Sequence, residues 1–238
     1  MKSLALVLAL VFTSTVAKSA VIYEHTFGGT GTLNSVAVTT ASTFAGGTSG
    51  ATWSASVLYS ANGSVAAGSG GALLPFTPQL NYKYTLTGTV TTASTASGWY
   101  ALGFATGTNS GSNHYNNGGT AWILKHGSGS IQTYLNAQTG AEGEGTIDPL
   151  VSTSANFTIT LDTSTPLWKA EWFLNGTSVR QVTYTANPDI KTIGFSNSGI
   201  AGSISNFQFS AVAVPEPSLS ILALLGVFAV LAHRRRSL

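Results

Sequence analysis

The sequence predicts an all-β protein, a two-sheet antiparallel jelly-roll sandwich flanked by an N-terminal signal peptide and a C-terminal transmembrane helix. Three observations lead there. Short runs rich in Thr, Val and aromatic residues recur between Gly, Ser and Asn clusters from residue 20 to residue 212. No helical periodicity interrupts them. Both ends, by contrast, are apolar runs flanked by positive charge. The expected division is therefore a signal peptide over 1–19, a sandwich over 20–212 and a tail over 213–238.

At the N-terminus, Lys2 supplies a positive start, Leu4 to Phe12 an apolar stretch, and Thr13 to Ala20 a small-residue region, the pattern of a secretory leader. Cleavage after Ser19 leaves Ala17 at the third position back, and cleavage after Ala17 is the alternative. With the ends set aside, residues 20–214 hold five basic side chains (Lys83, Lys125, Lys169, Arg180, Lys191) and seven acidic ones (Glu24, Glu142, Glu144, Asp148, Asp162, Glu171, Asp189), a net charge of −2. The net +2 of the whole chain comes from its ends. No basic patch remains to neutralise phosphates, which argues against a nucleic-acid partner. Cysteine is absent, so packing must stabilise the fold without disulfides. All five tryptophans and all eight tyrosines fall in this middle region, enough aromatic area for a core.

Strands are expected over Val21–Phe27, Thr52–Tyr59, Tyr82–Thr87, Trp99–Thr106, Ala121–Lys125, Ser130–Leu135, Asn156–Asp162, Ile190–Ser196 and Ile204–Val212. Phe157, Ile159 and Leu161 alternate with Thr158, Thr160 and Asp162; Tyr82, Tyr84 and Leu86 alternate with Lys83, Thr85 and Thr87. In the last strand Phe207 and Phe209 share a face while Ile204 falls out of phase, which predicts a bulge near Ser205. The stretch from Asn62 to Gly71 reads as a glycine-rich linker or turn. Trp168 to Tyr184 reads as a hairpin, because Asn175-Gly176 suits a type I′ turn in which both central residues take positive φ. A two-residue loop would pair Leu174 with Thr177, Trp172 with Val179 and Glu171 with Arg180.

Candidate sites follow from residue chemistry. Glu142 and Glu144 are two apart, as paired glycosidase carboxylates on a strand would be, but Gly140, Gly143 and Gly145 deny them rigid support and favour a solvated loop. His25, His114 and His126 have no zinc-ligand spacing, and no nucleophile elbow with triad partners is present, so neither a metal, a cofactor nor a catalytic residue is assigned. The most site-like stretch is Gly107 to Thr120. There Asn113, His114, Tyr115 and Asn116 cluster between two strands, with Trp122 at the start of the next. Aromatic faces and amides are what sugars require, although Asn and Gly also build ordinary surface loops.

The tail has three parts: Pro215-Glu216-Pro217, which cannot enter helix or sheet; the apolar run Leu219 to Ala232; and His233 with Arg234, Arg235 and Arg236. Its membrane helix is placed over 218–232 and its basic end over 233–236. The alternative is a helix docked on the core; terminal arginines favour the membrane, with the arginines on the cytoplasmic side. This arrangement resembles the PEP-CTERM sorting signal of exported proteins in Gram-negative bacteria. That resemblance implies delivery through the Sec translocon, transient inner-membrane anchoring, recognition by an exosortase-type processing enzyme, and a destination at the cell surface or in the exopolysaccharide matrix.

The middle region is similar to laminin-G/concanavalin-like domains. The residues that carry this are the Trp99-Tyr100-Ala101-Leu102-Gly103-Phe104 strand, the Trp172-Phe173-Leu174-Asn175-Gly176 hairpin, Ile193-Gly194-Phe195 and Asn206-Phe207. Members of that family bind glycans or serve as adhesive modules, some relatives are glycoside hydrolases, and acidic loops hold calcium where it is bound; such loops are scarce here. The expectation is a non-catalytic surface or matrix protein whose sandwich is a candidate polysaccharide binder. The alternative is a glycan-active hydrolase on the same scaffold.

Overall fold

The computed structural model describes residues 18–93, 98–136, 145–147 and 153–215. The expected leader up to Ala17, the apolar run and the arginines of the tail, Glu216 and Pro217, and the pair Glu142 and Glu144 lie outside the described residues. In chain order the strands are β1 (Ala20–His25), β2 (Thr40–Ala41), β3 (Ser54–Ala55), β4 (Ser64–Val65), β5 (Ser69–Pro75), β6 (Tyr82–Thr92), β7 (Trp99–Ala105), β8 (Gly119–His126), β9 (Ile131–Tyr134), β10 (Gly145–Ile147), β11 (Ser154–Asp162), β12 (Lys169–Leu174), β13 (Thr177–Thr183), β14 (Thr192–Ser198) and β15 (Gly202–Ala213). One 3₁₀ turn, Phe44–Gly46, is the sole helical element among the described residues.

The strands form two antiparallel sheets. One runs β13-β12-β11-β6-β15-β1-β2, with β4 pairing on β15; the other runs β10-β9-β8-β7-β14-β5-β3. Alternation decides which side chains meet between them. Tyr84, Leu86 and Val90 of β6, Phe157, Ile159 and Leu161 of β11 and Phe207 and Phe209 of β15 face Tyr100, Leu102 and Phe104 of β7, Ile123 of β8 and Phe195 of β14 in one core. Its rings pack edge to face, as Phe76 does on Phe209 at 4.6 Å and 80°, or stack, as Tyr84 does on Phe209 at 5.7 Å and 11°. The buried tyrosine hydroxyls keep partners: Tyr84 Oη donates to the Ala45 carbonyl and accepts the Gln79 N–H. Lys125 also points into this core. Its Nζ donates to Thr92 Oγ1 at 2.7 Å and to the His126 carbonyl at 3.1 Å, and burial lowers its pKa.

Most expected strands are present to within two residues. The bulge near Ser205 is found: the β15–β6 register shifts between Ser205 and Gln208, with Asn206 at φ 54°. The Asn175-Gly176 turn has φ 50° and 83°, as its type requires.

Three expectations are corrected. The linker reading of Asn62 to Gly71 fails, because β5 begins at Ser69 and lies inside its sheet between β14 and β3. The turn half of that reading holds at Asn62-Gly63, where Gly63 takes φ 85° and its N–H donates to the Ser60 carbonyl, whereas Gly70 marks close approach: a Cβ there would meet Ser56 Cβ at 2.7 Å. The Thr52–Tyr59 strand shrinks to Ser54–Ala55, since a turn follows in which Ser56 Oγ accepts the Leu58 N–H. The hairpin register holds at Leu174–Thr177 but then slips. Ser178 pairs with Phe173 and Arg180 with Trp172, leaving Val179 as the extra residue of a bulge. The expected Glu171–Arg180 pair is therefore absent. Glu171 accepts from Ser178 Oγ, while the Arg180 guanidinium lies 5.7 Å from the centroid of the Trp172 ring and donates to the Thr133 carbonyl of the other sheet. The cation gains a ring face and a cross-sheet hydrogen bond in place of an exposed ion pair of small worth.

Candidate functional site

In the second sheet several outward-facing positions are themselves apolar. Along β7, Trp99 and Ala101 face away from the core that Tyr100, Leu102 and Phe104 enter; along β8, Trp122 and Leu124 do the same; along β9, Tyr134 does. Together they make a second, smaller cluster on the outside of the sheet. A bulge aims its central ring. The β7–β8 register shifts between Gly103 and Phe104, Ala121 takes φ 45°, and Trp122 is left opposite Gly103, where any Cβ would stand 2.3 Å from its own. Trp122 stacks on its cross-strand neighbour Tyr134 at 4.2 Å and 13°. It also lies 5.7 Å from Trp99 and 6.0 Å from His114, nearly parallel to the latter at 20°.

The Gly107 to Thr120 segment forms the wall. It folds back over the outer face: the Gly71 N–H donates to the Ser110 carbonyl, and Asn113 Nδ2 donates to Ser69 Oγ at 2.9 Å. His114 is pinned beneath it. Ser196 Oγ accepts the His114 N–H and is hydrogen-bonded to Nδ1 of the ring. Burial holds the ring's pKa down to about 4, so it is neutral at pH 7. Asn113 Oδ1 accepts the Asn116 N–H, closing the turn that lifts Tyr115 outward. The resulting pocket, about 370 Å³, is lined by Asn113, Tyr115 and Asn116 from the wall, Trp99, Trp122, Leu124 and Tyr134 from the floor, and His126, Gln132 and Ser198 at the open end.

Of the residues singled out in the sequence, four line this pocket: Asn113, Tyr115, Asn116 and Trp122. His114 does not, being 1% exposed behind Trp122. Asn113 and His114 position the wall, with their polar atoms directed at Ser69, Asn116 and Ser196. Trp122, also 1% exposed, supports the floor rather than offering a free platform. The accessible rings are Tyr115, 40% exposed, and the partly buried Trp99. Trp99, Gln132, His126 and Tyr134 were missed. The Ala121 to Lys125 run without alternation was the available signal, because a strand apolar at every position is covered on both faces. At the open end, Gln132 Oε1 accepts from Tyr134 Oη at 2.8 Å and lies 3.0 Å from His126 Nε2. No carboxylate, lysine or arginine lines the pocket among the described residues, and no three His, Asp or Glu side chains gather as metal ligands there or elsewhere in them.

A larger cleft, about 420 Å³, opens beside the β15 bulge on the first sheet. Its aromatic members His25 and Phe207 are buried, at 6% and 1% exposure, below a rim of Glu24, Asn62, Asn206 and Gln208, which leaves the half-buried Phe27 as the ring it offers a ligand.

No protein-family model matches this chain, and no curated protein sequence does. Among solved structures, an endo-1,3-beta-glucanase from Streptomyces sioyaensis is 9% identical over 82% of this chain and 97% of its own, with a TM-score of 0.48. The carbohydrate recognition domain of Emp47p is 12% identical over 83% of this chain and 98% of its own, with a TM-score of 0.47. The carbohydrate binding module CBM66 from Bacillus subtilis is 10% identical over 67% and 91%, with a TM-score of 0.39. Likeness at these levels bears on neither family nor function.

Proposed function

We propose that this chain is an exported surface or matrix protein, anchored in the inner membrane until its tail is processed, whose sandwich binds a neutral polysaccharide in the Trp99–Tyr115 pocket without hydrolysing it. The observation that carries the binding is the aromatic outer face of the second sheet. A sandwich needs apolar side chains between its sheets, not on their outer surfaces, yet here Trp99, Trp122 and Tyr134 are gathered outside, with Trp99 left partly open beside the exposed Tyr115 of the wall. Rings meet the C–H faces of sugars, and Asn116, Gln132 and His126 suit hydroxyls. The lining carries no formal charge among the described residues, which fits a neutral glycan rather than an acidic one. Hydrolysis would need two carboxylates flanking the bond, and the described residues of this lining include none.

Export and anchoring rest on the sequence of the two ends, and a jelly-roll of the laminin-G/concanavalin kind on the two-sheet order. The sorting reading adds the Sec translocon and an exosortase-type enzyme acting near Pro215, Glu216 and Pro217 as partners. Fractionation of cells carrying a chain cut after Val214 tests it: the truncated product leaves the membrane fraction, and retention there contradicts the anchor.

A glycan array with the full chain, paired with a reducing-sugar release assay, tests the binding. Retention of a neutral polysaccharide, weakened about tenfold by Tyr115→Ala, a loss of about 1.4 kcal/mol, is the expected result. Sugar release abolished by Glu142→Gln or Glu144→Gln would replace binding with hydrolysis.

A further inference from the structure

The two ends of the sandwich differ in what leaves them. β6 and β15 run antiparallel with Tyr82 opposite Ala213 at one end and Thr92 opposite Gly202 at the other. The chain exits at the first of these, where the Val214 N–H donates to the Asn81 carbonyl. It also enters there, because Ala20 lies opposite Ala211. Both apolar segments of the sequence, Leu4 to Phe12 and Leu219 to Ala232, therefore attach to the same end.

That end has its own surface chemistry. The Asn81 N–H donates to the Thr163 carbonyl, and Thr163 Oγ1 donates to the Gln79 carbonyl, so the loops before β6 and β12 are tied together there. Their tips carry Leu80 and Leu167, 65% and 45% exposed, two of the four large apolar side chains exposed among the described residues. The other two are elsewhere: Tyr115 in the pocket wall and Val57 in the turn after β3. Every lysine of the described residues except buried Lys125 also stands at this end: Lys83, Lys169 and Lys191, with Lys18 where the leader is uncut. The carboxylates beside them are Asp162, hydrogen-bonded to Ser164, and Asp189, 3.1 Å from Lys191.

The tether is short. Only Pro215, Glu216, Pro217 and Ser218 separate Val214 from the apolar run. Fully extended, the chain covers about 17 Å from Val214 to Leu219, and the headgroup layer takes up roughly 5–7 Å of that. With the run in the hydrocarbon, about 10–12 Å of extended tether remains beyond the headgroup layer, which holds the Leu80–Leu167 end close to the surface.

We infer that the sandwich rests end-on against a lipid bilayer, with Leu80 and Leu167 entering the interface, Lys83, Lys169 and Lys191 over the headgroups, and the Trp99–Tyr115 pocket on the half facing away. Trp99, His126 and Ser198, which line the open end of the pocket, are all at the far end of the second sheet, paired with one another across β7, β8 and β14. The eleven residues of β6 at about 3.3 Å each place the two ends about 35 Å apart. The inference rests on the anchoring half of the proposed function and not on sugar binding.

The chain lacks cysteine, so single-cysteine variants label cleanly. Full-length Leu80→Cys, Leu167→Cys and, at the far turn, Ser128→Cys are labelled with a polarity-sensitive dye and reconstituted into phosphatidylcholine–phosphatidylglycerol vesicles carrying a headgroup-region quencher. The labels at 80 and 167 are expected to be quenched severalfold more than the label at 128. Equal quenching at all three, or strongest quenching at 128, overturns the orientation. Flotation of the unlabelled chain reads the anchor separately: a chain that does not float with vesicles removes the anchor and the orientation together. A chain that floats and is quenched as expected but retains no glycan sustains the orientation and loses only the sugar reading.

Discussion

The outer faces of the two sheets are built from different alphabets. On the first sheet the outward positions of β6, β11 and β15 include Thr85, Thr87, Thr89, Thr91, Asn156, Thr158, Gln208 and Ser210, half-buried or exposed and joined by short cross-strand hydrogen bonds such as Thr89 to Asn156 at 2.7 Å, with Val212 the one apolar side chain among them. On the second, the same geometric positions include Trp99, Ala101, Trp122, Leu124 and Tyr134 beside the polar Gln132, Ser196 and Ser198, roofed in part by the Gly107 to Thr120 wall. Both sheets twist, pair and pack on one shared core, so the fold does not demand the second alphabet. What exceeds the needs of folding on one face and is missing from the other is the part of the molecule available for recognition.

Substitutions sharpen that contrast, beginning with the largest expected effect. Trp122→Ala removes a side chain packed among Trp99, His114 and Tyr134 and should cost about 3–5 kcal/mol, whereas Thr85→Ala should cost about 1 kcal/mol or less; denaturant melts of the two variants read the difference. Equal costs would mean that the aromatic face contributes no packing beyond the threonine face.

Acid probes the aromatic face through His114. Burial lowers the pKa of His114 to about 4 from 6.5, so the unfolded chain binds the proton first and stability falls as pH drops through that window, by about 3 kcal/mol in total. His25, also lowered by burial, acts in the same direction. The test is thus the difference in melting temperature against pH between the native chain and His114→Gln, which should lose most of the slope below pH 6.5.

Smaller again is the hairpin at the edge of the threonine sheet. Gly176→Val places a branched residue at φ 83° and should cost about 1–2 kcal/mol, while Glu171→Ala loses an exposed hydrogen bond to Ser178 and should change stability by about 0.5 kcal/mol or less. Thermal melts that rank these two the other way would contradict the turn geometry.

These regions also divide what the sequence reveals from what it hides. The threonine sheet was legible because one of its faces is wet: Phe157, Ile159 and Leu161 alternate with Thr158 and Thr160, and period two shows on its face. The aromatic sheet was harder. β5 reads Ser69-Gly70-Gly71-Ala72-Leu73-Leu74 because it is covered on both sides, and its glycines, needed for the close approach of Ser56 and the Ser112 carbonyl, look like a linker. The pocket wall was found from composition alone, but composition cannot tell a ligand-facing amide from one that holds its own loop. Tyr115 and Asn116 turned outward, whereas Asn113 and His114 turned in. The hairpin register failed for a related reason: charge complementarity pointed Arg180 at Glu171, and the ring of Trp172 with the Thr133 carbonyl competed more strongly for the guanidinium.

The central claim is that the aromatic outer face recognises polysaccharide and the threonine outer face does not. Affinity electrophoresis of the full chain through gels loaded with a neutral glucan, comparing Trp99→Ala with Thr85→Ala, tests it most directly. The account predicts that Thr85→Ala is retarded as strongly as the native chain and that Trp99→Ala loses most of its retardation while still melting cooperatively. Equal retardation of the two variants would contradict it.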